Sequence, residues 1–173
     1  MEKLNLKKYE KNVVVRQLRR EDYDSVVALQ LRSFPGMEPW TREQFESQLA
    51  IFPEGQLGVD IDGVLVATSS SLIVDEEDFG AYHTFDEVSD KGFIRNHDPE
   101  GDTLYGIDIA IDPPHRGVHL TRRIYEARKE LARARNLRAI LIAGRIPGPG
   151  CSFIRCARPT SRACRTSSAA RFR

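Results

Sequence analysis

A chain of 173 residues with 40% hydrophobic content is long enough for one domain with a real core and matches ordinary globular composition. The formal net charge of +1 conceals a split, because residues 149–173 hold six Arg and no Lys, Asp or Glu, leaving 20 basic against 25 acidic side chains in residues 1–148. An acidic body gives no electrostatic footprint for nucleic acid, no apolar run has membrane-span length, and residues 1–12 lack the apolar region of a secretory signal, so a cytoplasmic protein without nucleic-acid or membrane partners is expected.

Val13, Val14 and Val15 with Leu18 form a β-branched run bounded by charges, which predicts a first strand. Tyr23, Val27, Leu31 and Phe34 then recur at spacings of three and four, so a helix is expected over residues 21–33, ended by Pro35 and Gly36. Thr41 and Gln44 have capping-box spacing, and Trp40 with Phe45 occupy staple positions, which predicts a second helix over residues 42–50. Residues 56–60 and 64–73 are β-rich runs around Asp62 and Gly63, a dipeptide suited to a tight hairpin turn.

From residue 75 to 102 the periodicity disappears, as in a long functional or mobile excursion. His83 and His97 fall there and are expected at the solvated surface. Beyond it Ile107, Ile109 and Ile111 alternate with Asp108, Ala110 and Asp112, which predicts a strand with one buried face. After Pro113 and Pro114, the spacing of Leu120, Ile124, Ala127 and Leu131 predicts a helix running to about Arg135, stopped near Asn136; the charged run 126–130 is its expected wet face. Residues 137–143 read as a further buried strand before Gly144.

The chemistry concentrates where the strand at Ile109 turns into the helix at Leu120. The first N–H groups of a helix lack internal partners and, with the helix dipole, favour phosphate. Gly117 permits close approach and Arg116 adds a cation. His115 and His119 are four apart, but the Arg116 and Gly117 turn between them and the lack of a third ligand argue against a metal. No Ser-His-Asp or Cys-His constellation is arguable. Cys151, Cys156 and Cys164 all lie beyond residue 148, odd in number and irregular in spacing, so neither a disulfide framework nor a zinc site is expected.

At these residues the sequence resembles the GNAT N-acetyltransferases, whose turn reads R-x-x-G-x-G or R-x-x-G-x-A. The match is Arg116, Gly117, Val118, His119, Leu120 and Thr121, preceded by IDIAIDPPHRG, with a family-like entry VRQLRREDYDSVVAL at residues 15–29. The stretch IYEARKEL and the GRIPG at residues 144–148 are similar to the acetyltransferase module found upstream of a carbon-nitrogen hydrolase domain. The resemblance implies an α/β fold, a GNAT-type mixed sheet flanked by helices, over residues 12–148 and incomplete at its C-terminal end. It implies acetyl-CoA as co-substrate, transfer of an acetyl group to a small-molecule or protein amine, and a fused hydrolase domain in the intact gene product.

By the same resemblance the pantetheine arm would lie along Ile109, Ala110 and Ile111, with the phosphates on the turn from Arg116 to Thr121. His119 and Thr121 stand where the family has small residues, and a His there would either crowd the phosphates or point outward. The amine must lose a proton; Asp108 is the candidate base, and its alternative is a solvated residue on the exposed face. The Arg, Ser, Ala, Pro and Cys composition of residues 149–173 is what a reading-frame slip produces, or else a natural basic tail. A non-catalytic acyl-CoA-binding or interaction domain, and an inactive gene fragment, are the competing readings.

Overall fold

A computed structural model describes residues 12–75, 77, 78 and 83–142. The elements run β1 (Val13–Gln17), α1 (Tyr23–Ser33), α2 (Arg42–Ile51), β2 (Leu57–Ile61), β3 (Val64–Val74), α3 (Phe85–Ser89), β4 (Thr103–Ile111), α4 (Leu120–Ala134) and β5 (Ala139–Ile142). The GRIPG run, the basic tail and its three cysteines lie outside the described residues.

One five-stranded sheet has the order β1-β2-β3-β4-β5, antiparallel through β4 and parallel between β4 and β5, so the expected mixed sheet is present. Asp62 and Gly63 turn the β2–β3 hairpin with φ of 53° and 82°, as a tight primed turn requires. The predicted capping box starts α2: Thr41 Oγ1 accepts from Gln44 N–H at 3.2 Å, and Gln44 Oε1 accepts from Thr41 N–H at 2.7 Å, a device worth about 1 kcal/mol. Asn136 ends α4 in the left-handed region at φ 53°. Among the described residues no helix is long and apolar enough to cross a membrane.

Helices cover both faces. Ile109 and Ile111 of β4 pack with Leu120 and Ile124 of α4, whereas Asp108 meets Gln30 of α1. Residues one apart on a strand face opposite ways, so α4 lies on one side of the sheet and α1 on the other. The expectation of a single buried face on β4 is therefore corrected: Ala110 has no exposed surface either. β3 is buried along all but its first residue, and Leu29, Leu72, Ile73, Leu104 and Ile124 have no exposed surface, each contributing about 1.5–3 kcal/mol.

Among its described residues, the excursion after β3 holds regular structure and buried side chains. It contains α3, opened by a second capping box between Thr84 and Glu87. Ile94 adopts a left-handed φ of 52°, costing about 1–2 kcal/mol, and its complete burial offsets that cost.

His97 also departs from expectation. β2 pairs β3 only as far as Ser69, so the backbone groups of β3 beyond it need other partners. Gln56 Nε2 donates to Ser71 O at 2.9 Å, Asp98 N–H donates to Ile73 O at 2.9 Å, and His97 Nδ1 accepts from Ile73 N–H at 3.0 Å. The His97 ring stacks on Phe52 at 4.4 Å.

Burial, aided by the Arg135 charge, lowers the His97 pKa, and its accepting Nδ1 must stay unprotonated. Below about pH 6.5 the unfolded chain takes up a proton there that the folded chain resists, so stability falls as pH falls. The urea midpoint should therefore drop between pH 7.5 and 5.5, and His97→Gln should lower the midpoint at pH 7.5 while flattening that pH dependence; an unchanged slope would refute the assignment.

Candidate cofactor cleft and active site

β4 holds β5 only over residues 103–106. In the pairing with β3, Ser71 opposes Gly106 and Ser70 opposes Asp108, so Ile107 is the extra residue of a β-bulge. Asp112 N–H donates to Val66 O at 2.9 Å. By antiparallel alternation Ala110 then addresses β3, whereas Ile109 and Ile111 turn their N–H and C=O groups to the opposite edge. Ser33 Oγ, from the end of α1, donates to Ile111 O at 3.0 Å. Among the described residues no strand pairs with that edge past the bulge.

The edge leads into the start of α4. After a 3-10 turn at Pro113–His115, Gly117 has φ +80° and His119, the N-cap, has φ 61°. The N-cap residue of α4, His119, makes no side-chain capping bond, in contrast to Thr41 on α2 and Thr84 on α3. Its first turn contains no acidic residue, and Arg122 and Arg123 sit where the dipole disfavours cations. An anion at that end would reverse the penalty.

Arg116 is anchored, its Nη2 donating to Ser33 O at 3.0 Å. Val118 and His119 are exposed, Thr121 is half-buried, and Leu120 is buried in the α4 core stripe. His119 pays the left-handed strain that glycine would avoid. His115 lies against Asp112 at 3.7 Å rather than beside His119 as a helical pair, since His115 ends the turn before Gly117 and His119 follows it.

Asp108 does not stand on a solvated face. Its Oδ1 accepts from Ser70 N–H at 2.8 Å and its Oδ2 from Gln30 Nε2 at 3.3 Å. The indole N–H of Trp40 lies near the carboxyl, outside hydrogen-bond geometry, and is buried without a partner. Asp108 is partly buried as a residue, and protein atoms crowd its carboxyl. Burial raises its pKa; the Ser70 N–H and the Arg128 charge pull the other way.

Two residues of this site escaped the sequence reading. Ser70 belongs to the buried polar run Thr68, Ser69, Ser70, Ser71 in the central strand, and Ser70 Oγ donates to buried Gln48 Oε1 at 3.2 Å. Arg128, assigned to the wet face of α4, has no exposed surface. Its Nη2 donates to Ser70 O at 2.9 Å and to Asp108 O at 3.0 Å, the two carbonyls beside the bulge. The signal was its spacing: Leu120, Ile124, Arg128 and Ala132 are four apart and all buried. Likewise His83, expected in solvent, holds Tyr105 OH with its Nε2 at 2.9 Å.

A mixed sheet that parts after a bulge, with a donor-lined edge running into an uncapped, cation-flanked helix end, defines a domain suited to holding an extended phosphate-bearing cofactor. The chain belongs to the Acetyltransferase (GNAT) family, whose profile matches residues 23–147. Membership makes acyl transfer the general chemistry of the fold.

Two proteins of Bacillus subtilis (strain 168) are similar. Probable hydrolase YhcX is 43% identical over 146 residues, which is 84% of this chain and 28% of that protein. Uncharacterized N-acetyltransferase YkwB is 32% identical over 139 residues, 78% of this chain and 62% of that protein. The chain thus spans less than two thirds of either relative.

Among solved structures, the loading GNATL domain of CurA from Lyngbya majuscula superposes with TM-score 0.67 at 16% identity, over 80% of this chain and 71% of that one. The GphF GNAT-like decarboxylase in complex with isobutyryl-CoA gives TM-score 0.61 at 20% identity, over 76% and 66%. At these identities the likeness is one of fold.

Two glycines separate strain from crowding. A Cβ on Gly117 meets nothing within 4 Å, so Gly117→Ala should cost only the positive-φ penalty of about 1 kcal/mol. A Cβ on Gly106 would lie 2.5 Å from Arg128 Nη1, so Gly106→Ala should cost more, about 2–3 kcal/mol of overpacking. Urea unfolding midpoints of the two variants give the comparison; equal losses would contradict it.

Proposed function

We propose that the domain transfers an acetyl group from acetyl-CoA to a primary amine of a small molecule or a protein. The observation that carries this is the continuity between the open edge of β4 at Ile109 and Ile111 and the uncapped N-terminus of α4. The first suits a pantetheine arm, which has amides to pair with a strand edge; the second suits its pyrophosphate. Val118, His119, Leu120 and Thr121 offer backbone N–H groups there, and Arg116 and Gly117 shape the approach. Asp108 takes the proton from the attacking amine: burial raises its pKa toward the working range of a base, and it stands beside the bulge.

Titration calorimetry should find acetyl-CoA binding that Gly117→Glu abolishes, because the carboxylate would enter the phosphate site. Replacing His119 and Thr121 together by Gly should tighten coenzyme A binding by relieving crowding. A Gly117→Glu variant that binds as well as the parent would remove the site from this turn.

A second reading is favoured by the fact that both Asp108 oxygens already have partners. Asp108 would then serve the bulge, and the domain would bind acyl-CoA without transfer, as one module of a longer protein of which residues 12–148 are the acetyltransferase part. The partial span of YhcX agrees with a hydrolase fusion. Thiol release with an amine panel decides between the readings. If Asp108 is the base, the rate rises with pH through a carboxyl pKa above the usual range, and Asp108→Asn lowers kcat about 10²–10⁴-fold while acetyl-CoA still binds. Binding without thiol release by any amine favours the second reading.

A further inference from the structure

Arg128 is among the largest side chains with no exposed surface. Its guanidinium stays charged, yet only Nη2 makes hydrogen bonds, while Nε and Nη1 have no hydrogen-bond partner among the described residues. A group that merely pinned α4 to the sheet would need no buried cation, since an apolar side chain of similar volume does that without desolvation. What Nη2 grips is the informative part. The Asp108 carbonyl belongs to the same peptide unit as the Ile109 N–H, and no peptide described is cis. In a trans peptide the C=O and N–H point in opposite directions. Arg128 therefore pulls on one end from behind, while the N–H at the other end faces the open edge of β4.

We propose that Arg128 is a positioning residue for acyl transfer: it polarises the peptide between Asp108 and Ile109 and so strengthens the Ile109 N–H as donor to the thioester carbonyl oxygen. This rests on the reading above that the pantetheine arm lies along that edge, which would bring its thioester to the bulge. In the step served, the amine nitrogen forms a C–N bond to the carbonyl carbon, whose oxygen takes up the negative charge. Collapse of that tetrahedral species breaks the C–S bond, and the proton lost from the amine ends on the coenzyme A thiol. A donor aimed at such an oxyanion acts when the charge develops, and hydrogen bonds in series reinforce one another. A bond from an ionised donor is about twice as strong as a neutral one. Gly106 belongs to the device, because any side chain there would displace the guanidinium.

The test is isotope-edited infrared spectroscopy of acetyl-CoA carrying carbon-13 at the carbonyl, bound to the full chain, alongside steady-state kinetics. In the parent the bound carbonyl band should lie at lower frequency than that of free acetyl-CoA. Arg128→Gln and Gly106→Ala should move it back toward the free position and lower kcat about ten- to a hundredfold with KM for acetyl-CoA unchanged; Arg128→Lys should recover part of both. A purely structural role would move the unfolding midpoint and KM and leave the band in place, which would overturn the inference. So would a parent band at the free position, a result that needs no variant to fold. A parent that fails to bind acetyl-CoA overturns the site reading itself, and this inference with it.

Discussion

The bulge at Ile107 is the constraint on which the rest of the cleft depends. An extra residue in β4 lets the strand part from β5, but it also disturbs the ladder between β3 and β4, whose backbone groups then need other partners. The disturbed groups find side-chain partners from both faces of the sheet. Asp108 supplies a carboxylate to Ser70 N–H on the α1 side. Arg128 supplies a guanidinium nitrogen to Ser70 O and Asp108 O on the α4 side. A small residue makes this feasible: Gly106 on β4 leaves the volume that Arg128 occupies.

Such an arrangement is not an economical way to stabilise a sheet. A carboxylate and a guanidinium are both withdrawn from water, and burial pushes the Asp108 pKa up and the Arg128 pKa down while each charge opposes the other's shift. Desolvation of this kind costs several kcal/mol per ion and is recovered only in part by attraction. The surrounding polar side chains add to the cost: Trp40 Nε1 and the hydroxyls of Thr68, Ser69 and Ser71 are buried without hydrogen-bond partners among the described residues. Polar groups left in that state mark a place shaped for something other than maximal stability.

The elements were legible where local rules act alone. The Thr41 capping box, the Asp62–Gly63 turn and the Asn136 stop depend on residues within a few positions of one another, and each stands as read. The turn from Arg116 to Thr121 was legible for the same reason. What escaped depends on contacts between distant residues. Alternation of isoleucines on β4 suggested one wet face, but helices fold onto both. His97 reads as a solvated loop residue, because nothing in residues 75–102 announces that β3 outruns β2 and needs a partner at Ile73. Arg128 reads as a surface charge because charge normally outweighs position; its four-residue spacing from Ile124 and Ala132 is the better guide.

The two ends of the proposed site meet in α4. Its N-terminus lies where phosphates would be held, and Arg128 is two turns further on, about 12 Å along the axis at 1.5 Å per residue. One rigid element therefore sets the distance between the phosphate end and the bulge. Leu120 and Ile124, buried between them, hold that element against Val59, Val66 and Ala67 of the central strands. Arg116 extends the same coupling to the other face of the sheet by bonding Ser33 O, next to the Ser33 hydroxyl that holds Ile111 O. A shift of α4 along its axis would change both ends together, so the core packing of the helix is part of the geometry of the site as well as of the stability of the fold.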